Sequence, residues 1–273
     1  MSRTTVRKLQ RGFTLIELLT ALGIFLLITG AAFALLSSSQ QRYQTDSQVL
    51  TSFQEARLGL DQMVRDINDA GFPPPTFFDS SHPLRSASSP FGWSPGYTVP
   101  TPCQIGTGGG GTCITPSDFD IIIETNPNPQ DASSQVKWIR YVLVGTTLMR
   151  AVADKAPSTD PAVETSLASL LVPFVQNVVN NTCPPQLPLC QTAYPLVFPG
   201  GTPVPIFSYT CDTPSAPVYP PPACASIVTD NSPANIRDVA ITLIVAAPLP
   251  DATTGAVRLV QLSGRGRRIN PNQ

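Results

Sequence analysis

From Phe13 to Leu36 the chain is apolar apart from a few threonine and glycine positions, and Glu17 is the single charged side chain within it. At a rise of about 1.5 Å per residue such a run is long enough to cross a hydrocarbon core of about 30 Å. It predicts a membrane-spanning helix. A carboxylate at that depth costs on the order of 2.5–3.5 kcal/mol on insertion scales, so its presence calls for a partner. The preceding residues 1–12 carry Arg3, Arg7, Lys8 and Arg11 and no acid. An excess of basic side chains on one flank holds that flank in the cytoplasm and sends the bulk of the chain outward.

Two simpler readings of this segment fit less well. Ala32-Phe33-Ala34 offers an A-x-A-like site for an ordinary secretory signal. The apolar core of such a signal spans only about 7–15 residues, and an acid within it is out of place. A plain anchor with an incidental glutamate meets the same insertion cost with nothing to offset it.

The residues Gly12-Phe13-Thr14-Leu15-Ile16-Glu17 resemble the class III signal of type IV prepilins and type II secretion pseudopilins. The resemblance implies cleavage between Gly12 and Phe13 by a prepilin peptidase/N-methyltransferase, N-methylation of Phe13, and a mature chain whose fifth residue is Glu17. It also implies assembly with other major and minor pilins or pseudopilins. Cleavage at Gly12 would leave an ammonium on Phe13 beside the apolar run. The Glu17 carboxylate of a neighbouring subunit would neutralise it, removing an isolated charge from low dielectric and setting register along a fibre.

Removing the four leader cations from the 17 basic residues leaves 13 against 18 acidic ones, so the exported part is acidic. No broad basic field points to nucleic acid, and no nucleic-acid partner is expected. All 30 prolines and all six cysteines lie at or after Pro73, dividing the chain into a proline-free helical part and a proline-rich head. Beyond Ser37-Ser38-Ser39-Gln40-Gln41, apolar or small residues recur at Val49, Phe53, Ala56, Leu60, Met63, Ile67 and Ala70. Steps of three and four make one helical stripe, with Arg42, Asp46, Glu55, Arg57, Asp61, Arg65 and Asp66 assigned mostly to other faces. Gly71 and Pro73-Pro74-Pro75 then stop the helix.

Residues 73–117 are rich in Pro, Ser and Gly and read as loops. Gly108 to Gly111 lack the Lys-Ser/Thr of a phosphate-binding loop. Gly92-Trp93-Ser94-Pro95-Gly96 matches a nucleophile-elbow pattern, but that elbow uses the N–H following the serine, and Pro95 has none. The one histidine, His82, also precedes Ser94, opposite to the order of that hydrolase fold. No enzyme activity is expected.

Strands are expected from 118 onward. Phe119 to Glu124 is β-branched, and Val136 to Val144 leads through Gly145-Thr146-Thr147 into Leu148 to Val152, a hairpin signal. Further strands are expected at Leu170 to Val179, Ile206 to Thr210, Val239 to Ala246 and Ala256 to Leu262. With no crossover helices between them, the sheet should be antiparallel. The Arg140-Tyr141 and Leu148-Met149-Arg150 strands, Gln176-Asn177-Val178, Phe207-Ser208-Tyr209, Val239 to Leu243, and the helical stretch Ala56 to Ile67 before Ala70-Gly71-Phe72 resemble the heads of the PilW minor pilin and GspJ minor pseudopilin families. The proline-rich insertions and Gly264-Arg265-Gly266-Arg267-Arg268 depart from that pattern.

Six cysteines allow 15 pairings. The local set, Cys103 with Cys113, Cys183 with Cys190 and Cys211 with Cys224, is the simplest, and suits an oxidising compartment. With no C-x-x-C and a lone histidine, no metal site and no cofactor are expected. Asp118 with Asp120, or Asp230 near Asp238, would be the places to look for calcium. Arg258, Arg265, Arg267 and Arg268 could touch phosphates, but read first as a solvated basic end without the aromatic residues of a strand-binding surface.

The expectation is therefore an α+β, pilin-like chain: a cytoplasmic leader (1–12), a transmembrane and assembly helix (13–36), its amphipathic continuation (37–72), a Pro/Gly-rich loop region (73–117), an antiparallel head (118–262) and a basic tail (263–273). Such a protein would cross the inner membrane once, with its head in the periplasm, before entering a pilus or pseudopilus. The expected function is that of a PilW-like minor pilin that initiates or caps a filament. The alternatives are a GspJ-like minor pseudopilin and a tip module acting as adhesin or DNA receptor.

Overall fold

The computed structural model describes residues 12–77, 84–93, 105, 116–156, 168–182, 194–199, 203–212, 222–224, 233–251 and 255–268. The chain divides into two units, residues 1–47 and 48–273. One helix, α1 (Leu15–Asn68), supplies the regular structure of the first unit and opens the second.

In the second unit, the helical stripe read from the sequence forms one wall of a core. Val49, Ala56, Leu60, Met63 and Ile67 are buried, with Phe53 packed against the same cluster. Among the described residues, eight strands make two antiparallel sheets. The first has the order β1 (Phe91–Gly92), β2 (Asp120–Thr125), β3 (Lys137–Val144), β4 (Thr147–Asp154), β5 (Val172–Val175); the second has β6 (Phe207–Cys211), β7 (Ile236–Ala246), β8 (Leu259–Arg267). The fold is thus α+β with a helix and antiparallel sheets, as expected. β3 and β4 form the predicted hairpin, Val144 opposite Thr147, with Gly145 at φ 61° in its two-residue turn. That conformation suits a residue without Cβ.

The sheets are stitched together by the segment after β5. Val178 bridges to Val245, and the fully buried Asn180 donates to the carbonyls of Val204 and Thr242 and accepts the Ile244 N–H. One amide side chain thus satisfies three backbone groups from two segments, so a buried polar residue is compatible with the core.

Three glycines set how closely α1 lies on the sheets. A Cβ at Gly59 would come 2.5 Å from Val175 Cγ2, and one at Gly266 would come 2.4 Å from Ile67 Cγ2. At Gly264 it would meet Leu60 and Val64 at 3.0 Å. Gly266→Val should therefore destabilise the head by about 1–3 kcal/mol through overpacking. The full chain in detergent micelles gives the readout, since both tryptophans, Trp93 and Trp138, are buried in the head and report its urea unfolding.

Several expectations need correction. Asp66, grouped with the charged residues placed mostly off the apolar stripe, is buried. It accepts hydrogen bonds from Tyr141 Oη (2.5 Å), Gln62 Nε2 (2.8 Å) and Arg150 Nη2 (3.2 Å). Burial, the Asp66 charge and the Asp66 hydrogen bond push the Tyr141 hydroxyl well above its ordinary range, so it stays a donor. Helix α1 ends at Asn68 rather than at 72; Gly71, at φ 80°, gives its N–H to Glu124 O, turning the chain onto the first sheet.

The segment read as loops over 73–117 contains β1, and Ala87, Phe91, Trp93 and Ile105 are buried. Glu124 holds part of it: this fully buried carboxylate accepts the N–H groups of Ser88 (2.6 Å) and Ser89 (3.1 Å) and the Trp138 indole (2.8 Å), and pairs with Lys155 at 3.1 Å. The single expected sheet is two. Of the basic tail placed at 263–273, residues 263–267 are the end of β8, which reaches Arg267 because Gly264 and Gly266 allow it to pass under α1.

Candidate assembly site at the helix N-terminus

Gly12, Phe13 and Thr14 precede helix α1, and Glu17 stands in its first turn. Thr14 and Glu17 form a capping box. Thr14 N–H and Thr14 Oγ1 both donate to Glu17 Oε2, at 2.9 and 3.0 Å, and Glu17 N–H donates to Thr14 Oγ1 at 3.3 Å. Each side chain thus takes up an N–H that the first turn leaves without a partner. A carboxylate also sits favourably at the positive end of the helix dipole. Sequence reading gave Glu17 an intersubunit role and missed Thr14, although Thr14-x-x-Glu17 carries the capping spacing.

The side chains that follow are turned outward. Phe13 is 89% exposed, and the large apolar side chains from Leu15 to Leu36 are all exposed. The best 18-residue window in α1 has a mean hydropathy of 2.4, with 0% of it buried. So much apolar surface needs lipid or the helices of other subunits. The polar groups inside the run are already satisfied: Thr20 Oγ1 donates to Ile16 O and Thr29 Oγ1 to Phe25 O. Glu17 is the one ionisable side chain in the apolar run from Phe13 to Leu36.

Gly12 has no structural reason within the described residues to be glycine, because a Cβ there would meet nothing within 4 Å. The matching family model, that of the prokaryotic N-terminal methylation motif, covers residues 7–33. The segment carries a prokaryotic N-terminal methylation motif. That motif supports the type IV prepilin and pseudopilin superfamily and, with the apolar helix, fits the membrane anchoring of pilins. It spans Gly12, Phe13, the capping box and the exposed apolar turns together. No curated protein and no solved structure matches the chain.

Other residues singled out in the sequence are placed as follows. Cys211 and Cys224 form a disulfide that straps the end of β6. Cys103, Cys113, Cys183 and Cys190 lie outside the described residues, as do His82, Ser94, Pro95, Gly108 to Gly111 and Asp230. Asp120, put forward for calcium, is instead engaged by Arg140 through two hydrogen bonds of 3.0 and 2.6 Å. Burial raises both Asp118 and Asp120 above the usual carboxylate range, which disfavours the anionic pair a cation would need.

Asp238 pairs with Arg265 at 2.8 Å. Arg258 pairs with Asp251. Arg268 is 4% exposed and donates to Ala234 O at 2.7 Å, so the basic end is not the solvated tail expected of it. Replacing both Cys211 and Cys224 by alanine should lower head stability by about 3 kcal/mol, the loop-closure value for a bridge of this separation. Urea unfolding followed by tryptophan fluorescence checks this figure.

Proposed function

We propose that the protein is a minor type IV pilin of PilW-like type, a structural subunit cleaved after Gly12 and N-methylated on Phe13 that helps initiate or cap a filament. The observation that carries this reading is Glu17 in a first turn followed by fully exposed apolar turns, inside a matched methylation motif. The cleavage and modification would be done by a prepilin peptidase/N-methyltransferase, and the assembly partners would be other pilins. Before assembly the chain sits in the inner membrane as a single span with its head in the periplasm. Residues 1–12 are the leader, 13–36 the membrane segment, and the rest of α1 and the two sheets the exported part.

A minor role is favoured by the bulk of the head, which is harder to repeat at every step of a thin fibre than a small one. The pairs Cys103–Cys113 and Cys183–Cys190 complete the disulfide set in this reading, so alkylation without reduction should label none of the six cysteines. The motif family is structural, and we assign no catalytic group.

Substituting Gly12 by leucine is expected to abolish leader removal, leaving a chain that starts at Met1 in an immunoblot of membranes. The experiment that tests the subtype is deletion of the gene followed by parallel assays of surface piliation and of protein secretion. Loss of pili with secretion intact supports the PilW-like reading. Loss of secretion with pili intact replaces it by a GspJ-like pseudopilin.

A further inference from the structure

β8 is an edge strand of the second sheet, and among the described residues its hydrogen-bonding pattern leaves one side open. Ala247 N donates to Arg258 O and Arg268 N to Arg237 O. With the β7–β8 register these bonds fix the alternation: the even-numbered residues of β8 pair with β7. The N–H and C=O groups of Gln261, Ser263 and Arg265 therefore point away from the sheet. The next group in that row, Arg267 N–H, is capped by Asn68 Oδ1 at 2.8 Å, which closes one end.

The other described edges are managed differently. On β6, Phe207 N donates to Asp118 O and Cys211 N to Pro222 O, beneath the disulfide strap. β5 has four residues and contains Pro173, and β1 has two residues. Short or proline-bearing edges resist further pairing, whereas β8 has nine residues.

We propose that the free side of β8 accepts an extended strand from a partner polypeptide, in which carboxylate and apolar side chains alternate. Side-chain alternation gives the added strand two unlike neighbours. Gln261, Ser263, Arg265 and Arg267 all present exposed side chains on the outward face. Arg265 is 58% exposed although it also pairs with the almost buried Asp238. Its planar fork has donors left for a second carboxylate. On the opposite face, Gly264 and Gly266 expose no side chain of their own, and the strand packs beside Val64, partly buried on α1. Outer carboxylates facing Arg265 and Arg267, with inner apolar residues toward Val64, match this pair of surfaces. Main-chain pairing supplies the affinity, and the two faces set the choice of strand. The inference rests on the head's second sheet and is independent of the filament reading.

Hydrogen exchange on the full chain in detergent micelles tests it, using as probes a seven-residue peptide alternating Glu and Val and its counterpart alternating Lys and Val. In the free protein, the amides of Gln261, Ser263 and Arg265 should exchange rapidly while Leu262 and Gly264 are protected. The Glu peptide should slow those three amides by about tenfold or more, and the Lys peptide should not. Ser263→Pro removes an N–H that β7 does not use, so it should abolish the protection and leave the urea midpoint unchanged. If that variant unfolds, Arg267→Glu serves instead, and should shift preference toward the Lys peptide. Prior protection of the three amides in the free chain, no protection by the Glu peptide, or equal protection by both peptides would each overturn the proposal.

Discussion

Glu17→Ala is expected to leave leader cleavage intact while cutting incorporation into filaments by roughly a hundredfold. The argument has two halves that add. In the membrane, the wild-type carboxylate raises the free energy of the unassembled subunit by about 2.5–3.5 kcal/mol, so removing it stabilises the state that assembly must leave. In the proposed filament pairing, the same removal strands the Phe13 ammonium of a neighbour without its counter-charge. Even the first half alone shifts the equilibrium by about two powers of ten at about 1.4 kcal/mol each.

The capping box contributes less. Losing the hydrogen bonds that Glu17 accepts from Thr14 frays one turn at a cost of about 1 kcal/mol. Thr14→Ala, which breaks the side-chain half of the box and keeps the charge, should therefore assemble far better than Glu17→Ala. Comparing the amounts of each processed variant in sheared filaments and in membranes checks both. Equal incorporation of Glu17→Ala and wild type would remove the charge-pairing account.

The second large effect is expected at Asp66. Alanine there leaves the Tyr141 hydroxyl and the Arg150 guanidinium, 25% exposed, facing each other at the helix–sheet interface without the carboxylate that joins them. Removing one partner of a mostly buried charged pair costs about 3 kcal/mol or more, because the remaining charge stays desolvated. The head's urea midpoint, read by tryptophan fluorescence in the full chain, should drop accordingly. Asp61→Ala, on an exposed position of the same helix, is the matched control and should change stability by less than about 0.5 kcal/mol. Tyr141→Phe separates the terms: it removes the 2.5 Å hydrogen bond and keeps the ring, whose centroid lies 5.3 Å from that of Phe174. It should cost about 1–2 kcal/mol.

These two sites also show where the sequence was legible and where it was not. The spanning segment was read from length and apolarity, which need no tertiary partner, and the stripe from Val49 to Ile67 from spacing alone. The same spacing rule misplaced Asp66, since it sorts acids outward, and what buries Asp66 is Tyr141 and Arg150, more than 70 residues away in sequence. Gly264 and Gly266 read as part of a basic tail beginning at 263. In the fold they are the two positions where only a missing Cβ lets β8 approach α1. β1 was invisible because two residues carry no period, and its burial depends on Glu124 pinning Ser88 and Ser89. Thr14 is legible in the sequence through the Thr14-x-x-Glu17 spacing of a capping box, independently of the charge on Glu17.

The measurement that bears most directly on the central claim is the intact mass and N-terminal sequence of the protein purified from its own membranes. A chain that begins at Phe13 and carries one additional methyl group is the result predicted by the matched motif. A chain still beginning at Met1, or one cut beyond Ala34, would contradict it, because neither exposes the Phe13 amine that Glu17 is proposed to neutralise.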